Sequence, residues 1–511
     1  MTISKKTGLE IAFLVMSAFI IMTAVSASSP IYPLNVWDDV NVYFTVGRGV
    51  FEGQVPYMDL YEQKGPIFLL MYAVASLISK TSFTGVWLFE CIAASVFAIF
   101  SWKTVKLFVP KAPAVCIGLV PVLMGITYTI GMFNFGGNTE EFCFPLLSVV
   151  LYVALKMIKE EKVLPGVKDS LVCGLIAGML FWTKYTFLGF ILGFILILIV
   201  RAVRNKAYKL LLKDILYFIA GFAVVSLPVF IYFGANHALG YLWEAYFYNN
   251  IFNYIGGGSY PGLLGNPVVR FLAVPVMALA ESCMSNLDYC VLMILSLVGV
   301  VVFEKKYRKS VITLFLVTFA ISLKAVFSQP FYTYYYGYIL SFYFVFALIL
   351  VVKGIEKLIK KRSYNKRLIQ LVLGALCAVI TLCSMFMCKN TYLMFVPKEE
   401  LSQYVLADII NQTEDPKILT YDIIDGGFYL ASGVSPSNRF FTTMNFIENN
   451  EEAVEEQERL IAEGYFDYIV TYSDEYEWDN YELIAEDIDP YCDFTKVPYL
   501  DRHCLYRRIS D

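Results

Sequence analysis

The first 395 residues consist of long apolar runs separated by short polar segments. Most runs hold roughly 15 to 23 residues, near the ~20 that an α-helix needs to cross a ~30 Å hydrocarbon core. We predict about eleven crossings, in the runs 9–28, 86–107, 112–131, 142–158, 170–200 (crossed twice), 215–233, 287–303, 311–326, 335–352 and 368–387. The pattern predicts an α-helical polytopic membrane protein.

Two runs do not fit a simple crossing. Run 66–79 corresponds to only about 21 Å of helix, so we predict a short helix that dips into the membrane and returns to the same side. Segment 170–200 starts and ends near basic clusters, so we predict two short helices with a break at Thr183, Lys184 and Tyr185. A broken helix in a membrane needs protein or water around its free backbone groups.

Basic residues predict the orientation of the chain. Lys5 and Lys6 precede the first run, which places the N-terminus in the cytoplasm and the polar loop 29–66 outside. Later basic clusters, at 103–111, 156–162, 201–206, 305–308 and 360–362, then lie on the cytoplasmic side. With eleven crossings, the C-terminus lies outside.

The last part of the chain differs in both charge and pattern. Residues 398–511 carry 26 acidic and 8 basic side chains, so the net charge of −4 conceals a basic membrane part and an acidic tail part. Strand-like runs at 417–422, 439–442, 467–472 and 504–508 alternate with helical ones, notably 449–462. We predict a transmembrane domain over 1–395 and a small extracytoplasmic α/β domain over 396–511.

Composition supports the membrane class and excludes other chemistry. Hydrophobic residues make up 58% of the chain, well above a soluble domain. Only two histidines occur and no cysteines have Cys-x-x-Cys spacing, so we expect no histidine- or thiolate-based metal site. There is no P-loop, and the glycines at 47–53 have the wrong spacing for a dinucleotide loop. We therefore expect no cofactor and no nucleic-acid partner, and leave a divalent cation open.

The polar loop 29–66 carries the candidate chemistry. It contains Asp38, Asp39, Asp59 and Glu62 together with Lys64. Ionisable groups beside hydrocarbon are costly to desolvate, so such a cluster either contacts a ligand or pairs internally. The residues alone leave both interpretations open.

Three segments resemble bacterial GT-C glycosyltransferases, the class that contains protein O-mannosyltransferases and the lipid A aminoarabinose transferase. The first is the polar loop, with WDD at 37–39, PYMD at 56–59 and YEQKGP at 61–66. The second is NTEEF at 138–142, similar to the family's second acidic loop site. The third is FWTK at 181–184, similar to the family's Thr-Lys at a helix break. The likeness in layout covers about residues 1–390.

The resemblance implies an inverting transfer of a sugar from a polyprenyl-phosphate donor to a hydroxyl acceptor of the cell envelope. The reaction would take place on the outer face of the bacterial cytoplasmic membrane. Together with the chemistry of the side chains, it gives three groups of candidates: Asp38 and Asp39 for catalysis, with Asp38 as general base; Lys64, Lys184 and Arg439 for the donor phosphate; and Asp59, Glu62, Glu140, Glu141 and Tyr334 for the acceptor or substrate.

The chain departs from the family pattern in two places. The family usually has Asp-Glu where this chain has Asp38 and Asp39, which leaves open which carboxylate acts as the base. A His-Tyr pair of a late outer loop is missing, because residues 329–335 read QPFYTYY. We expect donor or acceptor preference to differ accordingly.

The loop residues and Lys184 also have structural interpretations. Asn35 and Asp38 have the spacing of a helix N-cap with an acid in its first turn. Lys64 is also explained by snorkelling to the interface. Lys184, inside apolar sequence, should have a partner, either a buried carbonyl or a lipid phosphate.

The remaining candidates are equally open. Glu140 and Glu141 also read as ordinary interfacial acids, and Arg439 as half of a surface salt bridge. The aromatic stretches 241–260 and 331–338, which include Tyr334, fit an anchoring belt better than a sugar-stacking surface.

A flippase or transporter of a lipid-linked sugar is the alternative function. It would also use broken helices, with charges near the membrane midplane. The acidic pairs lie instead in loops, and no inverted repeat is visible, which favours the transferase. A membrane-anchored binding protein would not need eleven crossings and is the weakest alternative.

Overall fold

The computed structural model describes residues 5–253, 267–327, 335–361, 366–443, 451–488 and 502–509. Most of these residues are helical. The α-helices are α1 (Lys5–Val25), α2 (Asp38–Val50), α3 (Pro66–Ser76), α4 (Thr84–Phe108), α5 (Leu119–Thr127), α6 (Thr139–Lys159), α7 (Val167–Lys184), α8 (Gly189–Arg204), α9 (Tyr208–Ala235), α10 (Leu239–Leu242), α11 (Pro267–Ser285), α12 (Leu287–Val301), α13 (Lys305–Val326), α14 (Val345–Lys361), α15 (Lys366–Phe386), α16 (Ser402–Ile410), α17 (Phe428–Ser432) and α18 (Glu451–Ala462).

Three of the irregular helical segments contribute residues to the cavity described below. Tyr185–Leu188 and Tyr336–Phe344 are 3₁₀ helices, and Trp243–Asn253 is π-helical. Such segments often mark functional positions, because their backbone groups are less completely paired than those of an α-helix.

Eight helices of the described residues are long and apolar enough to cross a membrane. That number takes 167–204 as one span, and the pair Phe271–Ser285 and Leu287–Val301, bent by 118°, adds a ninth. Each predicted apolar run contains a helix, which confirms the polytopic helical class. The predicted number of eleven crossings is not confirmed and stays a prediction.

Segment 167–204 folds back on itself, as the charges at its two ends predict. A straight helix of this length would extend about 57 Å. Instead, Lys184 has an extended backbone (φ −159°, ψ 99°), and Arg201 near the end of α8 donates through Nε to the carbonyl of Val163, just before α7, at 3.1 Å. The break therefore lies at one end of the helical bundle, and Arg201 lies at the other.

The two ends of the bundle are different surfaces. We call the end that carries residues 26–65 and the α7–α8 break the loop side, and the end that carries Arg201 the basic side. On the loop side, α2 packs against α3 through ring contacts of Tyr43 with Phe68 at 5.0 Å and with Tyr72 at 5.7 Å. Helix α3 is only about 16 Å long, so it cannot cross the membrane, as predicted for run 66–79.

The C-terminal region contains one four-stranded sheet, which confirms the predicted small α/β fold. Its strands are β1 (Ile418–Thr420), β2 (Tyr468–Thr471), β3 (Tyr481–Ile488) and β4 (Arg502–Arg508), in the order β1-β2-β4-β3. Strands β1 and β2 are parallel, and β4 runs antiparallel to both β2 and β3. The predicted acidic helix is α18, whose apolar residues Leu460 and Ile461 are buried.

The strand predicted at 439–442 is wrong. The carbonyl of Phe441 accepts hydrogen bonds from the backbone N–H of Thr420 at 3.3 Å and from Tyr429 Oη at 2.8 Å, but no strand forms among these described residues. The two phenylalanines of this run are buried against the polar loop, so their burial does not come from sheet pairing. Strand β3 was not predicted; its exposed positions mix the acidic Glu482 and Glu486 with the apolar Leu483 and Ile488, so its sequence lacks a regular alternation.

The C-terminal region packs directly on the polar loop. One apolar core contains Val40 and Tyr61 from the loop and Phe428 and Phe440 from the C-terminal region. Tyr61 and Phe440 are in contact, with ring centroids 5.5 Å apart. The division at 395/396 stays a prediction, because this shared core joins the two parts.

Candidate active site

Helix α2 places Asp38 and Asp39 in its first turn. The helix begins at Asp38 with Trp37 as N-cap residue, and no side chain caps it. The N-cap interpretation of Asn35 is therefore wrong. Buried Asn35 instead accepts the backbone N–H of Trp37 at 3.1 Å and donates to the carbonyl of Gly136 at 3.2 Å, which fixes the approach of the chain to α2.

A close backbone approach joins the polar loop to the α7–α8 break. The N–H of Gly65 donates to the carbonyl of Thr183 at 3.0 Å. A Cβ atom at Gly65 would lie 2.1 Å from the carbonyl oxygen of Trp182, so only glycine fits here. This contact brings Lys64 and Lys184 close together. From the sequence, Lys184 could act on the donor phosphate only if the chain folded back towards it, and the structure has that fold-back.

Lys64 and Lys184 line the same cavity on the loop side. Its volume is about 340 Å³. Its wall combines polar groups with aromatic rings, and consists of Gln63, Lys64, Thr183, Lys184, Tyr185, Thr186, Tyr246, Asn250, Ile251, Val326 and Tyr336. Concave sites with a few convergent polar groups in an otherwise apolar wall are typical of ligand pockets.

Each of the two lysines has a buried carboxylate partner. Lys184 Nζ lies 2.8 Å from Glu140 Oε1 and 3.7 Å from the centroid of the Tyr336 ring. Lys64 Nζ lies 3.8 Å from Glu62 Oε1. Glu140 and Glu62 are only 2% and 4% exposed. Burying each carboxylate costs desolvation free energy, which the ion pair with its lysine partly offsets.

Glu62 also organises the loop backbone around Lys64. Its Oε1 accepts the N–H groups of Gln63 at 2.8 Å and of Lys64 at 3.0 Å. Burial raises the pKa of Glu62, against the Lys64 ammonium and the two backbone N–H groups, which act to lower it. The Glu62 carboxylate therefore fixes the backbone of residues 63 and 64 and also pairs with the Lys64 ammonium.

The two aspartates face different neighbours. Asp39 Oδ2 accepts a hydrogen bond from Tyr335 Oη at 3.4 Å, and Asp39 is close enough to Glu62 to act on it electrostatically. Asp38 Oδ1 lies 3.6 Å from the position that a Cβ on Gly426 would occupy, so it points to the C-terminal region. Asp39 thus lies beside Tyr335 and near Glu62, whereas Asp38 faces the junction between the loop and the C-terminal region; neither aspartate belongs to the cavity wall.

Glu140 and Glu141 have separate environments although they are adjacent in sequence. Glu140 turns to Lys184, whereas Glu141 accepts the N–H of Gly137 at 2.8 Å. The neighbouring acid Glu90 of α4 is buried like Glu141. Glu90, which sequence reasoning missed, also accepts from Ser26 Oγ at 2.6 Å; the signal was a lone acid within an apolar run.

Two other candidates, Asp59 and Arg439, lie outside the cavity wall. Asp59 Oδ2 accepts the N–H of Val55 at 2.7 Å and holds a turn of the loop. Arg439 pairs with Glu244 at 3.1 Å and stacks over the rings of Tyr61, Tyr241 and Phe440, so it joins the C-terminal region to the bundle. Tyr334 lies outside the described residues.

A second set of contacts locks α2 to the C-terminal region, and sequence reasoning missed it. Thr45 Oγ1 donates to buried Asp425 Oδ2 at 2.8 Å. The guanidinium of Arg48, 3% exposed, donates to the carbonyls of Tyr429, at 3.2 Å, and Val434. Burial raises the pKa of Asp425, and burial lowers that of Arg48. The only signal in the sequence was an arginine on a short amphipathic helix.

Among the described residues, no group of three or more His, Cys, Asp or Glu side chains is arranged to hold a metal ion.

Comparison with known proteins places this geometry in context. Residues 63–232, a third of the chain, match the family model described as dolichyl-phosphate-mannose-protein mannosyltransferase. No curated protein sequence matches the chain. The crystal structure of ArnT from Cupriavidus metallidurans bound to undecaprenyl phosphate is similar over 100% of this chain and 99% of ArnT, with a TM-score of 0.60 and 11% identity. Apo ArnT gives a TM-score of 0.60 over 98% of each chain, with 12% identity.

The chain has the fold of ArnT. The resemblance predicted from the WDD, NTEEF and FWTK segments is thereby confirmed, together with a multi-pass helical membrane part and a small C-terminal sheet. The matched residues 63–232 include Lys64 and Lys184 of the cavity wall, together with Glu140, so the family match and the lysine cavity share residues.

Proposed function

We propose that this protein is a glycosyltransferase that moves a sugar from a polyprenyl-phosphate donor to a hydroxyl acceptor. The observation that carries the proposal is the convergence of Lys64 and Lys184, 120 positions apart in the chain, on one cavity in a fold that binds undecaprenyl phosphate in ArnT. Two lysines beside a cavity suit a lipid phosphate, whose charge increases as the sugar departs.

The chemistry follows from the placement of the carboxylates. The acceptor hydroxyl attacks the anomeric carbon, its proton passes to a carboxylate, and the bond from the anomeric carbon to the phosphate oxygen breaks with inversion. Asp38 is the general base in this proposal, which places the acceptor hydroxyl at the junction between the loop and the C-terminal region that Asp38 faces. Asp39, which already accepts the Tyr335 hydroxyl, orients the site, and Glu140 and Glu62 hold the two lysines in position.

The proposal includes the sidedness of the reaction. The N-terminus lies in the cytoplasm, and the lysine cavity opens on the outer face of a bacterial cytoplasmic membrane. The basic ends of α6, α8 and α13 support this orientation, because cytoplasmic loops carry an excess of Lys and Arg.

Transfer of radiolabelled sugar from polyprenyl-phosphate donors to envelope fractions tests the proposal. The full chain is compared with Asp38→Asn, Asp39→Asn and the exposed control Glu455→Gln. We expect Asp38→Asn to lose about 100-fold or more in rate, as general-base removal commonly does, and Asp39→Asn to lose about 10-fold. The control should retain the wild-type rate.

Two results would contradict this reading. If Asp39→Asn loses more activity than Asp38→Asn, the base assignment is reversed. If the wild-type protein consumes no donor but reconstituted vesicles move the lipid-linked sugar across the bilayer, the protein is a flippase and the transferase proposal fails.

A further inference from the structure

The basic side of the bundle contains a second large cavity, far from the lysine cavity along α8. It is a groove of about 410 Å³ between α6, α8 and α13. Its apolar wall includes Ile158, Leu196, Val200 and Leu314, and its polar end carries Arg201, Arg204 and Lys309. An apolar channel that ends in three cations has the shape and charge of a site for an anionic lipid.

The helices separate at this groove because of their side chains. Near the break, Gly193 of α8 packs so closely on α13 that a Cβ there would lie 2.8 Å from Thr318 Cα. Towards the basic side, the facing positions of α8 hold Leu196 and Val200, which stay 48% and 40% exposed. Leu196 and Val200 are larger than Gly193, so they hold α8 and α13 further apart. The groove between the two helices is therefore open to the outside of the bundle.

The charge at the polar end of the groove is uncompensated. Arg201 is held by the backbone carbonyls of Lys162 and Val163, not by an acid. Arg204 and Lys309 are exposed, and within the described ranges neither forms an ion pair. No Asp or Glu belongs to the groove wall. Three positive charges therefore lie where a lipid headgroup would be.

We propose that this groove binds an anionic glycerophospholipid, with an acyl chain along α8 and α13 and the phosphate between Arg204 and Lys309. Basic pockets between membrane helices recognise anionic headgroups in this way, and each nearby Lys or Arg strengthens the attraction. The site is separate from the lysine cavity and does not depend on the proposed sugar transfer.

Native mass spectrometry of the full chain in detergent tests the proposal, with phosphatidylglycerol and phosphatidylcholine of identical acyl chains as probes. The variant Arg204→Gln/Lys309→Gln removes the headgroup contacts. The matched control Lys206→Gln/Lys209→Gln removes two exposed charges on the same side but outside the groove. We expect at least about a 10-fold weaker first binding of phosphatidylglycerol in the groove variant, and wild-type binding in the control.

A third variant tests the apolar part of the groove. Thr313→Trp keeps all three cations but fills the groove from an exposed position of α13, and it should weaken phosphatidylglycerol binding by about 5-fold or more. The proposal is overturned if Thr313→Trp binds like wild type, if the control loses as much as the groove variant, or if phosphatidylcholine binds equally well. Tighter binding of undecaprenyl phosphate than of phosphatidylglycerol would replace the assigned ligand.

Discussion

On the loop side of the bundle, Lys64 and Lys184 each lie beside a buried carboxylate, whereas on the basic side Arg204 and Lys309 form no ion pair with a described residue. Burial explains this difference. Desolvating a charge costs several kcal/mol, so a lysine with 17% exposure needs a partner, but an exposed cation is satisfied by water.

The difference sets how each cavity can bind an anion. At the loop side, the lysines are fixed in geometry and neutralised, so a phosphate has to share them with Glu62 and Glu140. At the basic side, the full positive charge is available, but the side chains are not preorganised. The loop-side cavity is therefore suited to geometry-dependent chemistry, and the groove to retention of a lipid.

Removing the Lys184–Glu140 pair should have the largest effect. We expect Lys184→Met to reduce sugar transfer by about 100-fold or more, because the leaving phosphate loses a cation. It should also lower the free energy of unfolding by about 3–5 kcal/mol, because Glu140 is left buried without its cation. Transfer assays and chemical denaturation measure the two effects.

A double variant separates the two roles of Lys184. Lys184→Met/Glu140→Gln removes the stranded charge, so stability should largely return while transfer stays low. Recovery of transfer together with stability would mean that Lys184 is only structural. The partly exposed pair Lys156 and Asp169 on the basic side provides the control, since Lys156→Met/Asp169→Asn should change neither quantity greatly.

The next largest effect should come from the contact between α2 and the C-terminal region. Arg48→Met leaves the carbonyls of Tyr429 and Val434 without their donor, at a cost of about 1–3 kcal/mol. We expect faster hydrogen exchange in α2 and a transfer rate lower by about 10-fold, because Asp38 and Asp39 lie on this helix. Arg459→Met, which breaks an exposed pair on α18, should leave both unchanged.

The sequence predicted the long elements well, because membrane thickness imposes a length on apolar runs. It also placed the break near Lys184, since basic residues at both ends of 170–200 required the chain to turn. It could not pair Lys184 with Glu140 or bring Gly65 to Thr183, because these contacts join positions that are 44 and 118 apart in the chain. Such pairings depend on the packing of whole helices.

Two predictions depend on how the loop is buried under the C-terminal region. The apolar run 439–442 resembles a strand, but its phenylalanines fill the core shared with the loop. The role of Arg439 as a phosphate ligand stays a prediction; in the structure its guanidinium contacts Glu244 and three rings. A sequence pattern shows that a residue is buried, and does not show which surface buries it.

Replacing Glu62 should have a smaller effect that depends on pH. Burial raises the pKa of Glu62 in the folded protein above its unfolded value, so its favourable contribution is complete below the unfolded pKa and is lost as pH rises through the folded pKa. Glu62→Gln keeps an oxygen acceptor for the two N–H groups but cannot ionise. Its apparent Tm should therefore match wild type near pH 4 and exceed it increasingly towards pH 8.

Thermal unfolding at several pH values measures this difference. A Tm difference that stays constant from pH 4 to pH 8, or a wild-type protein that gains stability relative to Glu62→Gln as pH rises, would contradict the assignment. In that case, the Lys64 ammonium outweighs burial at this site.

The smallest expected effect concerns the groove. Phosphatidylglycerol should raise the apparent Tm of the wild-type protein by about 1–3 °C more than phosphatidylcholine does, because it binds the folded state. The Arg204→Gln/Lys309→Gln variant should lose this difference, and Lys206→Gln/Lys209→Gln should keep it. If phosphatidylglycerol stabilises the wild-type protein and both variants equally, the groove does not bind the lipid through its cations, and the comparison between the two cavities fails.

The hydrogen bonds from Arg48 to the carbonyls of residues 429 and 434 have a consequence for the order of folding during synthesis. A ribosome delivers Arg48 more than 380 positions before Val434, so a nascent chain holds this guanidinium without its final acceptors until residues 429–434 have been made. The helix that carries both aspartates gains these contacts only after that. Maturation thus has a built-in order, in which α2 is completed by a segment that is synthesised much later.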